Sequence, residues 1–559
     1  MSHARRPPNV LFVICDDLGW GDLACHGNPY VRTPRLDALH DQSLRLARHR
    51  SGPLCTPARA SVMTGRYAYR TRAIDTYIGR SMIDPGEVTL AAMLRDAGYA
   101  TCLSGKWHLG DCYPMRPMDM GFDESLWHGS GGIGQPGNPG CYEGRSTYDN
   151  PELWHHDALV RASGYCSDVF TDHALDFIRA HRERPFFAYL AFNAPHAPLH
   201  VGEAWAGRYR DLGLPDKFAR LYGMVENIDH NVGRVLDELD ALRLTDDTIV
   251  VFTSDHGPCG SAKHEGQSRW NAGMRGLKGS CYEGGVRVPC IVHLPPALSP
   301  QAAGRDVMPP THPMDWLPTL AAACGAKVPT DRAIDGMNLL PLLSGQVRED
   351  ALPERTVFLQ WHRGDVPVRY RNCLAVTSRW KWTQPSETQP QELYDLPADP
   401  GEARNVAADH PQVAAELRAA YERWFDDVSS TRPDNYAPPR IVLGGPADSV
   451  YLTRQDWRVI GPDSWDDTGL GRWEVRVAEA GRYRLTLQLP PADGSRTVEL
   501  SVADHALQWT TAGDRIGVEL DLPAGPATVA PRILHADGPA TGVRQVIVEH
   551  LPDTRMASK

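Results

Sequence analysis

Long apolar runs are absent from this sequence. None approaches the roughly 20 residues that a membrane-spanning helix needs, so a transmembrane protein is excluded. A basic block is absent too: Lys and Arg number 58 against 69 Asp and Glu, a formal net charge of −11, which leaves no electrostatic footprint for DNA or RNA. The N-terminus, MSHARRPPNVLFVICDD, lacks the long apolar stretch and small-residue cleavage site of a secretory leader; its apolar run, 10–15, ends in two aspartates. A cytoplasmic protein is expected, or a periplasmic one if a leader has been removed. The twelve cysteines, all between Cys15 and Cys373, form no CxxC pair and keep no regular spacing, so most are expected to be reduced, buried core residues. Internal repeats and low-complexity tracts are missing as well.

What is present is an ordinary globular composition, 42% hydrophobic and 23% charged, over 559 residues, too many for one domain. Residues 1–354 alternate short apolar runs with helical patterns. Runs 10–15 (VLFVIC), 101–104, 186–192 (FFAYLAF) and 248–253 (TIVVFT) are apolar on both faces and predict buried strands. In 89–97, Leu90, Met93, Leu94 and Ala97 make one helical face and Gly98 can end it. Alternating β and α predicts an α/β domain, a mostly parallel central sheet flanked by helices. Segment 110–164, rich in Gly, Pro, Tyr and Trp, has no clear period and is expected to be a surface insertion. Residues 355–437 predict a small α+β subdomain, with edge strands at 356–361 and 374–381 and a helix at 411–427. From 438 to 559 the chain alternates with period two, as in Trp473, Val475, Val477, then Tyr483, Leu485, Leu487, Leu489, then Val498, Leu500, Val502. That pattern predicts an appended β-sandwich.

In open parallel sheets the active site lies beyond the carboxyl ends of the strands. The first predicted strand ends in Asp16 and Asp17, and the second runs into Lys106, Trp107 and His108. The third ends in Asn193, Pro195 and His196, and the fourth in Asp255, His256 and Gly257. Acidic residues marking strand ends explain any one of these, but not all four. Asp16, Asp17 and Asp255 together would raise one another's pKa unless a hard divalent cation, Ca²⁺ or Mg²⁺, resolved the repulsion. Neighbouring residues on a strand point to opposite faces, so Asp16 and Asp17 converge only if the strand has already broken. His256 is a softer candidate ligand. Seven lysines stand among 58 basic residues, so lysine at both positions 106 and 278 has a chance probability of about 0.015 if basic type is arbitrary.

The stretch Pro53-Leu54-Cys55-Thr56-Pro57-Ala58-Arg59 resembles the signature of the sulfatase family, Cys-x-Pro-x-Arg. The resemblance continues through NVLFVICDDLGWG (9–21), GKWHLG (105–110), NAPHAP (193–198), TSDHG (253–257), GLKGSCYEGGVRVP (276–289) and LYDLPADPGEARN (393–405), covering about residues 8 to 430. It implies an alkaline-phosphatase-like fold and a sulfuric ester hydrolase in which an enzyme oxidises Cys55 to formylglycine, an aldehyde that hydrates to a diol. Implied with it are a Ca²⁺ or Mg²⁺ held by Asp16, Asp17, Asp255, His256 and the modified Cys55, and nucleophilic attack on sulfur by the diol with Asp255 aiding proton removal. Arg59, Lys106 and Lys278 would hold the sulfate, His196 and Lys278 would protonate the leaving oxygen, and His108 would take the proton that accompanies sulfate release. A thiolate is a poor companion for a hard cation, whereas a diol oxygen is a good one. Ala58 stands where the signature often has serine, His256 replaces the common asparagine, and Cys281 is expected to be core packing. The substrate would be a small-molecule or carbohydrate sulfate ester. Two alternatives stay open: a phosphonate monoester or phosphodiester hydrolase with the same machinery, separable by kcat/KM on matched esters, and a catalytically silent carbohydrate-binding protein using Trp457, Trp465, Trp473 or Trp509 of the sandwich. Segments 70–84 and 110–164, beside the motifs, are expected to wall the leaving-group pocket.

Overall fold

The computed structural model describes residues 6–551 apart from 261–268, 300–303, 432, 433, 435, 448, 462–465 and 537. Runs of Val, Ile, Leu and Phe that are apolar on both faces become the centre of a sheet, because only there are both faces covered. The four predicted strands are β1 (Asn9–Cys15), β3 (Ala100–Lys106), β7 (Phe186–Ala191) and β8 (Thr248–Ser254), every residue of each buried. They lie side by side and parallel in the order β8-β1-β7-β3. The remaining strands are β2 (Leu44–Leu46), β4 (Glu124–His128), β5 (Glu152–His155), β6 (Ala158–Arg161), β9 (Cys290–His293) and β10 (Asp306–Val307), completing a ten-stranded mixed sheet β10-β2-β9-β8-β1-β7-β3-β4-β5-β6. The helix predicted at 89–97 spans Leu90–Asp96, with the Thr89 hydroxyl accepting from the Ala92 N–H and Gly98 following at φ +93°. Helices Cys166–His181 and Asp216–Ala241 contribute to the apolar layer on one face.

Two expectations need correction. Segment 110–164 is not a mere surface insertion: it supplies β4, parallel to β3, and the antiparallel β5–β6 pair that extends the sheet edge. Segment 374–381 is not one edge strand. It is split between β12 (Cys373–Val376) and β13 (Trp380–Gln384), antiparallel neighbours inside the sheet β11 (Val357–Gln360)-β12-β13-β14 (Glu392–Asp395). The turn between them carries the hydrogen bond Thr377 N–H to Trp380 carbonyl, 2.9 Å. The helix Pro411–Ser429 packs on this sheet through Leu417, Tyr421, Trp424 and Phe425.

After residue 440 the chain forms two facing sheets, of seven and four strands. The period-two residues Trp473, Val475, Val477, Tyr483, Leu485, Leu487, Val498, Leu500 and Val502 are all buried between them. Trp457 and Trp473 are core residues and Trp509 is half-buried against the core, while Trp465 lies outside the described residues. The sandwich shares one continuous apolar core with the α/β domain, in which Trp107, Leu109, Cys112 and Trp127 belong with Ile441, Val450, Leu452 and Trp457. The Cys112 thiol donates to the Tyr451 carbonyl at 3.1 Å, and the rings of Trp154 and Tyr451 meet edge to face at 5.2 Å.

Candidate active site

The carboxyl ends of β1, β3, β7 and β8 open on one side of the sheet, and the residues just beyond them converge. At the end of β1, Asp17 adopts φ +65°, a left-handed conformation that breaks the strand and turns two consecutive carboxylates toward one point. The Asp17 N–H donates to Asp255 Oδ1 at 3.3 Å, tying the ends of β1 and β8 together. Cys55 is the first residue of the helix Cys55–Thr64, all ten of whose residues are buried. Its Sγ lies 3.4 Å from Asp16 Oδ1 and 3.0 Å from His256 Nε2. Burial and the Asp16 carboxylate push this thiol up, but the ammonium groups of Lys106 and Lys278 outweigh them and bring it down to about 6.

The predicted cations surround the carboxylates. Arg59, one helical turn after Cys55, donates through Nε to Asp255 Oδ2 at 3.0 Å and through Nη1 to the Lys106 carbonyl at 3.2 Å. Lys106 Nζ pairs with Asp16 Oδ2 at 2.5 Å and also donates to the Gly131 carbonyl. Preceding it, Gly105 at φ +123° is required, since a Cβ there would stand 1.9 Å from the Ala191 carbonyl oxygen of β7. Lys278 Nζ pairs with Asp17 Oδ1 at 2.6 Å, and its side chain retains 16% exposure, so it faces the entrance. Burial alone would hold Asp17 protonated; Lys278 reverses this and keeps its pKa well below the carboxylate range. Asp255, surrounded by the Asp16 carboxylate and a dry environment, is pushed up to about 7.

Each of the three histidines has one ring nitrogen fixed by a backbone carbonyl. His256 Nδ1 donates to the Gly257 carbonyl at 2.9 Å, leaving Nε2 facing Asp17 Oδ1 and Asp255 Oδ1, both at 3.4 Å. His196 Nδ1 donates to the Ala197 carbonyl at 2.7 Å, and its Nε2 stands 3.9 Å from Asp17 Oδ2. His108, at φ +57°, donates from Nε2 to the Thr76 carbonyl at 2.8 Å, so the buried Nδ1 carries the lone pair and has no hydrogen-bond partner. Burial and Lys106 hold its pKa well below the imidazole range. All the predicted site residues are thus brought to one locality; His108 joins through Thr56, whose hydroxyl donates to its carbonyl at 3.2 Å, and through packing on Gly131.

Three contributors lay outside the sequence reading. Arg269 donates to the Asp17 carbonyl and, at 2.6 Å, to Asp22 Oδ2, fixing the loop after β1. The Tyr148 hydroxyl lies 3.0 Å and 2.6 Å from the carbonyls of Asn193 and His196, bracing the His196 loop from within segment 110–164. Gln455, from the sandwich, reaches the neighbourhood of His108. Nothing in their local sequence marks them, because each acts across a long separation.

The donor set fits a divalent cation. Asp16, Asp17, Cys55 and His256 offer ligand atoms that lie within 4.8 Å of one another, all four residues buried. Asp17 Oδ2 is a buried oxygen with no hydrogen-bond partner, and His256 Nε2 is aimed into the same space. Carboxylate oxygens with one imidazole suit a hard or borderline ion.

Buried carboxylates able to hold a cation, edged by Arg59, Lys106 and Lys278 on the carboxyl edge of an open α/β sheet, suit the hydrolysis of anionic esters. A family model described as Sulfatase matches residues 8–326, and one described as N-sulphoglucosamine sulphohydrolase, C-terminal, matches residues 277–426. The chain is 32% identical to steryl-sulfatase of Mus musculus over 548 residues, 78% of this chain and 85% of that protein. It is 34% identical to N-acetylgalactosamine-6-sulfatase of Homo sapiens over 418 residues, 68% of this chain and 73% of that one. The crystal structure of Ps i-CgsB superposes with a TM-score of 0.67 at 26% identity, covering 76% of this chain and 94% of the other. The chain belongs to the sulfatase family and is a sulfuric ester hydrolase. Members of this family use a metal ion and a formylglycine, for which the buried Asp, Cys and His cluster is the matching locality.

Proposed function

We propose that the protein hydrolyses a sulfate monoester, of an aryl alcohol or a carbohydrate, with Cys55 as the residue converted to formylglycine and Asp16, Asp17, Asp255 and His256 as ligands of Ca²⁺. When present, the hydrated aldehyde supplies the nucleophilic oxygen and the cation supplies charge for the sulfate oxygens. The observation that carries the proposal is the convergence of Arg59, Lys106 and Lys278 on the three carboxylates around the Cys55 side chain. These cations are already oriented by the fold, so they stabilise a sulfuryl group without reorganising. Asp255 is held by Arg59 and, through its carbonyl, by the Ser51 hydroxyl at 2.5 Å, placing it to accept a proton from the nucleophile. As an imidazolium, with Nδ1–H on the Ala197 carbonyl and its side chain at the entrance, His196 gives its Nε2 proton to the departing alcohol oxygen, together with Lys278. His108 receives at Nδ1 the proton given up as sulfate is released. Gly132 packs against His196 and Gly131 against His108, which supports 110–164 as one wall; Thr76 brings 70–84 to the other.

The relatives favour a carbohydrate or steroid alcohol: one is named for N-acetylgalactosamine-6-sulfate chemistry, the other for steryl sulfates, and Ps i-CgsB has been solved with a neocarrahexaose. Mass measurement of the peptide containing Cys55, with hydrazide trapping, tests the conversion; an aldehyde adduct is expected, and a free thiol in protein from its native host overturns it. A panel of sulfate monoesters against matched phosphodiesters then tests the reaction, with higher kcat/KM on the sulfates expected. Higher values on the phosphodiesters overturn that assignment.

A further inference from the structure

The C-terminal β-sandwich reaches the catalytic histidine. Between its strands Ser449–Thr453 and Arg458–Val459, a tight turn carries Gln455, 1% exposed, into the seam between segment 70–84 and the chain leaving β3. The turn is anchored on both sides. Asp456 accepts the Asp111 N–H at 3.1 Å and the Ser81 hydroxyl at 3.4 Å, and Arg454 donates to the carbonyls of Val543 and Gly542, both at 3.0 Å. Gln455 Nε2 lies 2.6 Å from the Thr76 carbonyl oxygen, 2.9 Å from Ser81 Oγ and 3.3 Å from His108 Nε2.

The orientation of this amide follows from the 2.6 Å contact, because two oxygens at that separation would repel. Nitrogen therefore faces Thr76, and one carbonyl oxygen accepts from both Gln455 and His108 through its two lone pairs. Thr76 lies in a segment without strand or helix there, so no ladder of backbone bonds holds its carbonyl in place. Gln455 supplies that hold. With the carbonyl fixed, His108 donates from Nε2 and presents its lone pair at Nδ1, the buried atom with no hydrogen-bond partner.

We infer that Gln455 is a positioning residue for the hydrolysis, holding the Thr76 carbonyl so that His108 stays in the tautomer whose Nδ1 can accept a proton. The inference rests on the role proposed above for His108 in sulfate release. It makes the sandwich part of the active site rather than a detachable module for glycan attachment.

The test uses the full-length, metal-loaded protein and Gln455→Met, which keeps the side chain's length and packing but removes the amide donor. If Gln455 positions His108, sulfate release becomes slower while the steps up to alcohol departure do not. The expected result is a fall in kcat of about tenfold with KM falling in parallel and kcat/KM held within about twofold, because kcat/KM reports only through the first irreversible step. The unfolding midpoint should stay close to wild type. A second readout is independent of turnover: in histidine-¹⁵N-labelled protein, the His108 ring signals, assigned by their loss in His108→Gln, should show the Nε2–H tautomer in wild type and a mixture in Gln455→Met. Should Gln455→Met fail to fold, Gln455→Asn, one methylene shorter and unable to reach Thr76, should give the same kinetic pattern. Wild-type kcat with unchanged ring signals overturns the inference, as does a loss confined to kcat/KM. If His108→Gln itself lacks the parallel fall in kcat and KM, the assigned role of His108 fails. If it shows that fall and Gln455→Met does not, the positioning role alone fails.

Discussion

Lys381→Met is a sensitive probe of what holds the catalytic loop to the rest of the molecule. Lys381 lies on β13 with no side-chain exposure, 3.1 Å from Glu283 Oε1 and 2.8 Å from Glu402 Oε1. Arg50 clamps Glu283 through two bonds of 2.8 and 2.9 Å, and the Glu283 N–H donates to Glu402 Oε2 at 2.6 Å. Behind this network, residues Glu283–Val286 form the helical turn whose Gly285 carbonyl receives the N–H of Gly257, next to His256. Removing the ammonium leaves Glu283 with Arg50 but Glu402 with only a backbone donor. Truncating one partner of a buried ion pair costs about 3–5 kcal/mol, and we expect about 3 at pH 7 because Glu402 can take up a proton instead. Burial already raises the pKa of Glu402, with Lys381 opposing that rise, so the variant raises it further. A carboxyl whose folded pKa lies above its unfolded value of about 4.3 loses folding stability as pH climbs between the two, at about 1.4 kcal/mol per unit. Wild type shares this slope up to its own raised pKa, so the deficit relative to wild type should be about 3 kcal/mol at pH 7 and shrink as pH falls from the variant's folded pKa to that of wild type. Urea unfolding of wild type, Lys381→Met, Glu402→Gln and the double variant measures it, with the double variant recovering most of the loss. A deficit independent of pH, or a double variant that is merely additive, refutes the reasoning.

Other outcomes follow from the same geometry. Cys55→Ala and Lys278→Ala should each abolish turnover with the far-ultraviolet dichroism unchanged; full activity in either purified variant overturns the mechanism. Arg269→Met frees the Asp17 carbonyl and Asp22, and should weaken cation affinity about 10–100-fold by equilibrium dialysis, as loss of an outer support does; unaltered affinity refutes a supporting role. His256→Asn exchanges an imidazole nitrogen for an amide oxygen, so competition between Mn²⁺ and Ca²⁺ should shift toward Ca²⁺. An unchanged ratio would show that His256 is not a ligand.

The parts of the fold that could be read from the chain are those whose pattern has a single physical explanation. β1, β3, β7 and β8 were legible because strands buried on both faces must be continuously apolar. The candidate cluster was legible because, Lys278 apart, each member sits within a few residues of such a strand or in the helix-opening signature at Cys55, while Lys278 stands in the segment GLKGSCYEGGVRVP. β4, β5 and β6 escaped because they are four or five residues long, too short for a period to emerge, with a glycine-rich loop between β4 and β5 and only His156-Asp157 between β5 and β6. The hairpin at 374–381 reads as one strand in the sequence because its turn, Thr377-Ser378-Arg379, has neither Gly nor Pro to mark it. Arg269, Tyr148 and Gln455 were beyond reach for a different reason. Gln455 touches Thr76 across 379 positions, and only the docking of the sandwich against the α/β domain creates that contact.

The burial of the helix Cys55–Thr64 has a consequence for biogenesis. Cys55 is 1% exposed, its helix has no exposed face, and Lys106, His256 and Asp16 enclose its side chain. An enzyme that must seize this segment and oxidise its thiol cannot do so once β1, β3 and β8 have assembled around it. On the conversion proposed above, modification and folding would compete for the same nascent chain, and the order in which they finish would decide its fate. A molecule that folds first would keep its thiol behind a closed door, so on that proposal the active fraction of a preparation would record a race run during synthesis, one that later supply of a converting enzyme could not rerun without unfolding.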